Sequence, residues 1–178
     1  MDDRLNLLIA ELGISTEALI ARGMQQFVET DQLVLAEIET SGREHYLTPE
    51  AADAWKRMKA AALGEGIWIY IVSAFRSIDR QIEIIRGKLV NGQPINKILE
   101  INAPPGFSEH HTGRAIDVAT YGGPILEVEF EQTTAFYWLQ SRANDFSFYL
   151  SYPAGNALGY QYEPWHWCYQ PANAIELS

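Results

Sequence analysis

At 178 residues the chain is long enough for one well-packed domain and too short for two typical ones. Hydrophobic residues make up 47% and charged residues 20%, the balance of a soluble globular protein rather than a disordered one. The net charge of -10 argues against nucleic acid or an anionic membrane surface as the main partner, while leaving an anionic polymer open as a substrate.

Leu5, Leu8 and Leu12 recur at helical spacing, with Gly13 placed to end the helix. Ser15 can cap a second helix, expected to run to about Phe27. Residues 32–39 are strand-like, and Ser41-Gly42 is a turn signal behind them. Residues 1–45 thus read as a helical and hairpin extension packed on a domain of residues 46–178, and they hold no recognisable chemistry. No basic leader precedes an apolar core and no apolar run reaches membrane length, so the expectation is a cytoplasmic, monomeric protein without a membrane span.

Thr48-Pro49-Glu50 is a helix start, and Ala51, Trp55, Met58 and Ala62 share one face behind it. Residues 66–73 are apolar on both faces, which predicts a central strand. A helix over residues 78–90 follows and breaks at Asn91-Gly92. Residues 115–119 predict a short strand in which Asp117 faces away from Ile116 and Val118. Residues 134–143 predict a helix, and 148–152 and 160–169 predict strands. This mixed order favours an α+β fold over a parallel sheet. The expected architecture is a small central antiparallel sheet with flanking helices.

Two stretches carry the chemistry. The first is Gly106-Phe107-Ser108-Glu109-His110-His111-Thr112-Gly113-Arg114-Ala115-Ile116-Asp117; the second is Glu163-Pro164-Trp165-His166. Together they offer two imidazoles and a carboxylate for a metal, plus a spare carboxylate three residues before the last imidazole. That is the inventory of a catalytic zinc site: three protein ligands, an open position for water, and a base beside it. In an extended segment residues i and i+3 face opposite ways, so Glu163 and His166 can share a site only if the chain bends at Pro164. Cys168, the one cysteine, excludes an internal disulfide and an all-cysteine metal site. With His166 two residues away it is a weaker rival nucleophile.

Ser108-x-His110-x-x-Gly113-x-Ala115-x-Asp117 followed by Glu163-Pro164-Trp165-His166 resembles the signature of VanY-type zinc D,D-carboxypeptidases, a group of peptidoglycan-cleaving zinc peptidases. The resemblance covers residues 45–170. It includes Tyr46-Leu47-Thr48, Ser73-Ala74-Phe75-Arg76-Ser77, Gln81 and Leu150-Ser151-Tyr152-Pro153. It implies His110, Asp117 and His166 as zinc ligands, at the face of the sheet, and Glu163 as the base that activates a zinc-bound water. It also implies Arg76 as the group that steadies the oxyanion or holds a substrate carboxylate. Without it, a helix-start ion pair with Asp79 or Glu83 is the better reading of Arg76. Ser108, Gln81 and Trp165 fall in the substrate pocket by the same likeness, and His111 reads as a surface or supporting histidine. The implied substrate is the terminal D-amino acid of a peptidoglycan stem peptide or muropeptide, D,D- or L,D-linked. The alternatives are a peptidoglycan endopeptidase and a non-catalytic zinc- or peptide-binding module of the same fold. Ser147 stands where the family often has glycine, and Cys168 where a basic residue is frequent.

Overall fold

The computed structural model describes residues 3–171. Leu5, Ile9 and Leu12 bury one side of α1 (Asp3–Glu11) and the turn after it, where Gly13 reverses the chain at φ +76°. Ser15 Oγ accepts from the Ala18 N–H at the start of α2 (Thr16–Ala21). This helix stops short of Phe27 because Gly23, at φ +73°, turns the chain out of it; residues 24–33 follow without regular structure. β1 (Val34–Ile38) and β2 (Glu44–Leu47) form an antiparallel hairpin.

α3 (Pro49–Gly64) buries Ala51, Trp55, Met58 and Ala62, although Thr48 at its N-cap makes no side-chain capping bond. Next come β3 (Tyr70–Ser73), α4 (Ile78–Val90) and α5 (Ile95–Ile101), the last a helix that the sequence reading does not contain. β4 (Ala115–Ala119), α6 (Thr134–Arg142), β5 (Phe148–Leu150) and β6 (His166–Tyr169) complete the elements.

The second sheet has the order β3-β4-β6-β5, antiparallel throughout, so the architecture is α+β around a small antiparallel sheet. β3 lies at the edge of that sheet rather than at its centre. The apolar run that suggested a central strand includes Trp68, which is 58% exposed ahead of the strand. The Ile71 N–H donates to Glu37 Oε1 at 3.4 Å, so a side chain of the hairpin covers part of the edge.

Two apolar clusters flank the sheet. One joins Trp55 and Met58 of α3 and Leu139 of α6 to Ile71, Ile116 and Trp167. The other joins Leu5, Ile9 and Leu19 to Ile85 of α4, Ile98 of α5 and Phe107. The N-terminal helices thus back the loop that carries the first chemical stretch. Phe27 N–H donates to Gly106 O (2.8 Å) and Thr30 N–H to His111 O (3.0 Å). Gly106 has φ +82°, in the region that favours glycine, and a Cβ there would meet Leu5 Cδ2 at 2.7 Å and push that side chain aside. Among the described residues no helix is long and apolar enough to cross a membrane.

Candidate metal centre

Antiparallel pairing of β4 with β6 sets Asp117 opposite His166. Ile116 and Val118 enter the core cluster, so strand alternation turns Asp117 to the opposite face. His166 Nδ1 lies 3.0 Å from Asp117 Oδ1. His110 arrives from a 3-10 turn, Glu109–Thr112, which Ser108 Oγ caps and Gly113 ends at φ +65°. Its Nε2 lies 3.3 Å from Asp117 Oδ2. One ligand atom from each of the three buried residues falls within 4.8 Å of the others. Zinc takes imidazole and carboxylate donors at about 2.0–2.2 Å, which in a tetrahedral site sets donors ~3.4 Å apart, so the side chains would draw together by about an ångström to seat the ion. The donor set fits zinc.

Each imidazole is oriented from behind. His110 Nδ1–H donates to Ala74 O at 2.7 Å, which frees Nε2 for a metal, and burial lowers the His110 pKa. His166 Nε2–H donates to Glu109 Oε2 at 2.9 Å and leaves Nδ1 toward Asp117. Burial opposes an imidazolium at His166, but the bonds to Asp117 and Glu109 outweigh it and raise its pKa to about 10. Burial likewise opposes the Asp117 carboxylate, yet the two histidines hold it well below the usual carboxylate range.

The Glu163 side chain lies beside this group, with Oε2 3.9 Å from His166 Nδ1. His166 N–H donates to Glu163 O at 3.0 Å, which closes the expected bend; β6 begins only at His166. Burial raises the Glu163 pKa to about 7, with Asp117 acting in the same direction and His166 against it. Arg76 Nη1 donates to Gln81 Oε1 (2.9 Å) and Nη2 to Ser73 Oγ (3.1 Å), while Nη2 stands 3.9 Å from Asp117 Oδ2. Asp79 and Glu83, the other partners weighed for Arg76, pair instead with Arg4 and Arg80.

These groups open on a cleft of about 400 Å³, with Ser108 and Trp165 in its wall. Gln81 is fully buried, outside the lining; its amide donates to Ala103 O (2.6 Å) and its carbonyl holds Arg76. His111 is no surface residue. It is fully buried, with Nδ1–H donating to Arg76 O at 2.6 Å and Nε2 accepting from Gly106 N–H at 3.1 Å. Burial lowers its pKa to about 4, so it serves as a neutral strut between the two loops.

Three residues around the site had no role in the sequence reading: Glu109 behind His166, and Tyr152 and Lys88 in the cleft wall. Glu109 was visible only as the neighbour of His110. Tyr152 lays its ring 4.7 Å from that of His166, and Lys88 enters from α4. The cysteine route loses its support: Cys168 is buried, burial pushes its thiol pKa well up, and both nitrogens of His166 are engaged with carboxylates.

Residues 44–172 match the family VanY, D-alanyl-D-alanine carboxypeptidase. YodJ of Bacillus subtilis (strain 168), named a carboxypeptidase, is 38% identical over 156 residues, covering 84% of this chain and 57% of its own length. The chain therefore spans little more than half of that relative. The LdcB LD-carboxypeptidase structure, described as revealing the basis of peptidoglycan recognition, superposes with a TM-score of 0.73 at 36% identity. That likeness covers 84% of this chain and 72% of the LdcB chain. A mutant of the vancomycin-resistance D,D-pentapeptidase VanY, solved with Zn(II), gives 0.62 at 25% identity over 86% of this chain and 85% of that one. With the family matched across both chemical stretches, and the sheet register bringing those stretches together, the chain belongs to the VanY family of D-alanyl-D-alanine carboxypeptidases.

Proposed function

We propose that this chain is a zinc-dependent carboxypeptidase that removes the terminal D-amino acid, D,D- or L,D-linked, from a peptidoglycan stem peptide or muropeptide. The observation that carries the reading is Glu163, a half-buried carboxylate beside His166 and in one cleft with His110, Asp117 and Arg76. A binding module has no need of a further carboxylate placed beside the three metal-ligating groups. Residues 46–178 are taken as the catalytic unit and 1–45 as an extension packed on it; positions 172–178 lie outside the described residues.

His110, Asp117 and His166 would hold the metal, and bound Zn²⁺ supplies a Lewis acid and a water acidified to a pKa of about 7. Glu163 takes the proton that the nucleophilic water gives up and hands it to the leaving amine. Arg76, fixed by Gln81 and Ser73, keeps a guanidinium charge where negative charge develops on the scissile carbonyl oxygen. Ser108 and Trp165 form the wall that receives the peptide, and Gln81 acts through Arg76.

The test is mass spectrometry of muropeptides ending in D,D- and L,D-bonds after incubation with zinc-loaded protein. The reading expects loss of one terminal residue from at least one of them. Both left uncut would overturn it, and cleavage within the stem peptide would make the protein an endopeptidase.

A further inference from the structure

The cleft holds a second cation whose place the mechanism does not use. Lys88 lines it together with the metal group, and its Nζ donates to Asn102 Oδ1, a neutral acceptor. An ammonium has three donors, so two remain for a ligand. Among the described residues Lys88 makes no ion pair with a carboxylate, although Asp and Glu number 23 against 13 Lys and Arg. Arg76 is differently placed: it gives one donor from each terminal nitrogen to Gln81 and Ser73, and it stands at the metal end beside Asp117.

Helix geometry spaces the two cations. Lys88 follows Gln81 by seven positions on α4, two turns later on the same face, or about 10 Å along the axis. Lysine side chains on a helix lean back toward its N-terminus, which brings the ammonium toward Gln81 and the Arg76 it holds. Arg76 is close enough that its charge, after burial, lowers the Lys88 pKa. That end of the cleft is therefore locally positive in an acidic protein. A substrate cut at its last peptide bond carries its free carboxylate about one Cα–Cα step, ~3.8 Å, beyond the scissile carbonyl.

We propose that Lys88, steadied by Asn102, binds the free C-terminal carboxylate of the substrate and thereby restricts the cleft to removing one terminal residue. This rests on the carboxypeptidase reading above. It divides the labour between two cations: Arg76 serves the reacting carbonyl, and Lys88 serves the chain end.

The experiment compares stem peptides with a free C-terminus against the same peptides amidated there, in the zinc-loaded protein and in Lys88→Met and Lys88→Arg. Uncleaved binding is read by calorimetry in a Glu163→Gln background. The wild type should favour the free acid over the amide. Lys88→Met should lower kcat/KM on the free acid by about 10- to 100-fold, mainly through KM, as loss of a charged hydrogen bond does. The preference for acid over amide should then collapse toward one, zinc content should hold, and Lys88→Arg should restore most of the preference. A Lys88→Met protein that loses equally on acid and amide, or keeps its preference, overturns the proposal. If the wild type cuts no peptide, the carboxypeptidase reading falls by itself. Binding of acid against amide to Glu163→Gln and to its Lys88→Met double variant still decides the role of Lys88.

Discussion

The Glu109 carboxylate holds the Nε2–H of His166 at 2.9 Å, and the ring's other nitrogen stands 3.0 Å from Asp117. One carboxylate thereby fixes which nitrogen of a ligand histidine is offered to a metal, an arrangement that also raises the ligand's basicity. Truncating it in Glu109→Ala should weaken zinc binding by about 10- to 100-fold, measured by competition with a chromophoric chelator. Glu109→Gln keeps an acceptor for that N–H and should recover much of the loss. Unchanged affinity in Glu109→Ala would remove Glu109 from the site.

The same contacts make metal binding a proton exchange. Without metal, His166 keeps its second proton up to a pKa of about 10, because Asp117 and Glu109 overcome the cost of burial. A metal must displace that proton. Zinc affinity should therefore rise with pH, by about tenfold per unit between pH 7 and 9. Calorimetry at pH 8 in buffers of different ionisation enthalpy should report about one proton released. No proton release would contradict the His166 assignment.

Glu163 must be ionised to accept a proton, and burial places its pKa near 7 in the metal-free site. A bound cation favours the carboxylate and moves that value down. Activity should accordingly fall on the acid side, with a limb at or below pH 7. Glu163→Gln should bind zinc and lose about 10²- to 10⁴-fold in kcat, the usual worth of a general base. Zinc lost together with activity in that variant would make Glu163 a ligand instead.

Ser147 ends the 3-10 turn Ala143–Phe146 with φ +62°, in the left-handed region that favours glycine. Ser147→Gly should stabilise the protein by about 0.5–1 kcal/mol after glycine's larger unfolded-state entropy is counted. For a chain of this length that corresponds to a rise in Tm of roughly 1–4 °C by calorimetry. A lower Tm would show that the hydroxyl does more than the backbone suggests.

The sequence made some elements legible because their signals are local. Asn91-Gly92 stops α4, and the alternation around Asp117 defined β4 to its end residues. The grouping of His110, Asp117 and His166 was legible because the motif names those residues, even though the pairing that joins Asp117 to His166 is long-range. What escaped depends on tertiary placement. α5 is seven residues long, with polar Asn96 and Lys97 among its apolar positions, and it gains stability by burying Ile98 against the N-terminal helices. The edge position of β3 is set by which strands pair, and two-sided hydrophobicity does not encode that. The tight turn through Glu109, His110 and His111 sends three consecutive side chains to His166, Asp117 and Arg76, so Glu109 and His111 could not be assigned from spacing.

The central claim is that two stretches about 50 residues apart meet around one zinc ion. Metal analysis of the purified protein after zinc loading and dialysis, wild type beside His166→Ala, tests it most directly. The account predicts about one zinc per wild-type chain and its loss in the variant, with folding of the variant checked by circular dichroism. A wild-type protein that retains no zinc, or a His166→Ala protein that retains it in full, would contradict the site.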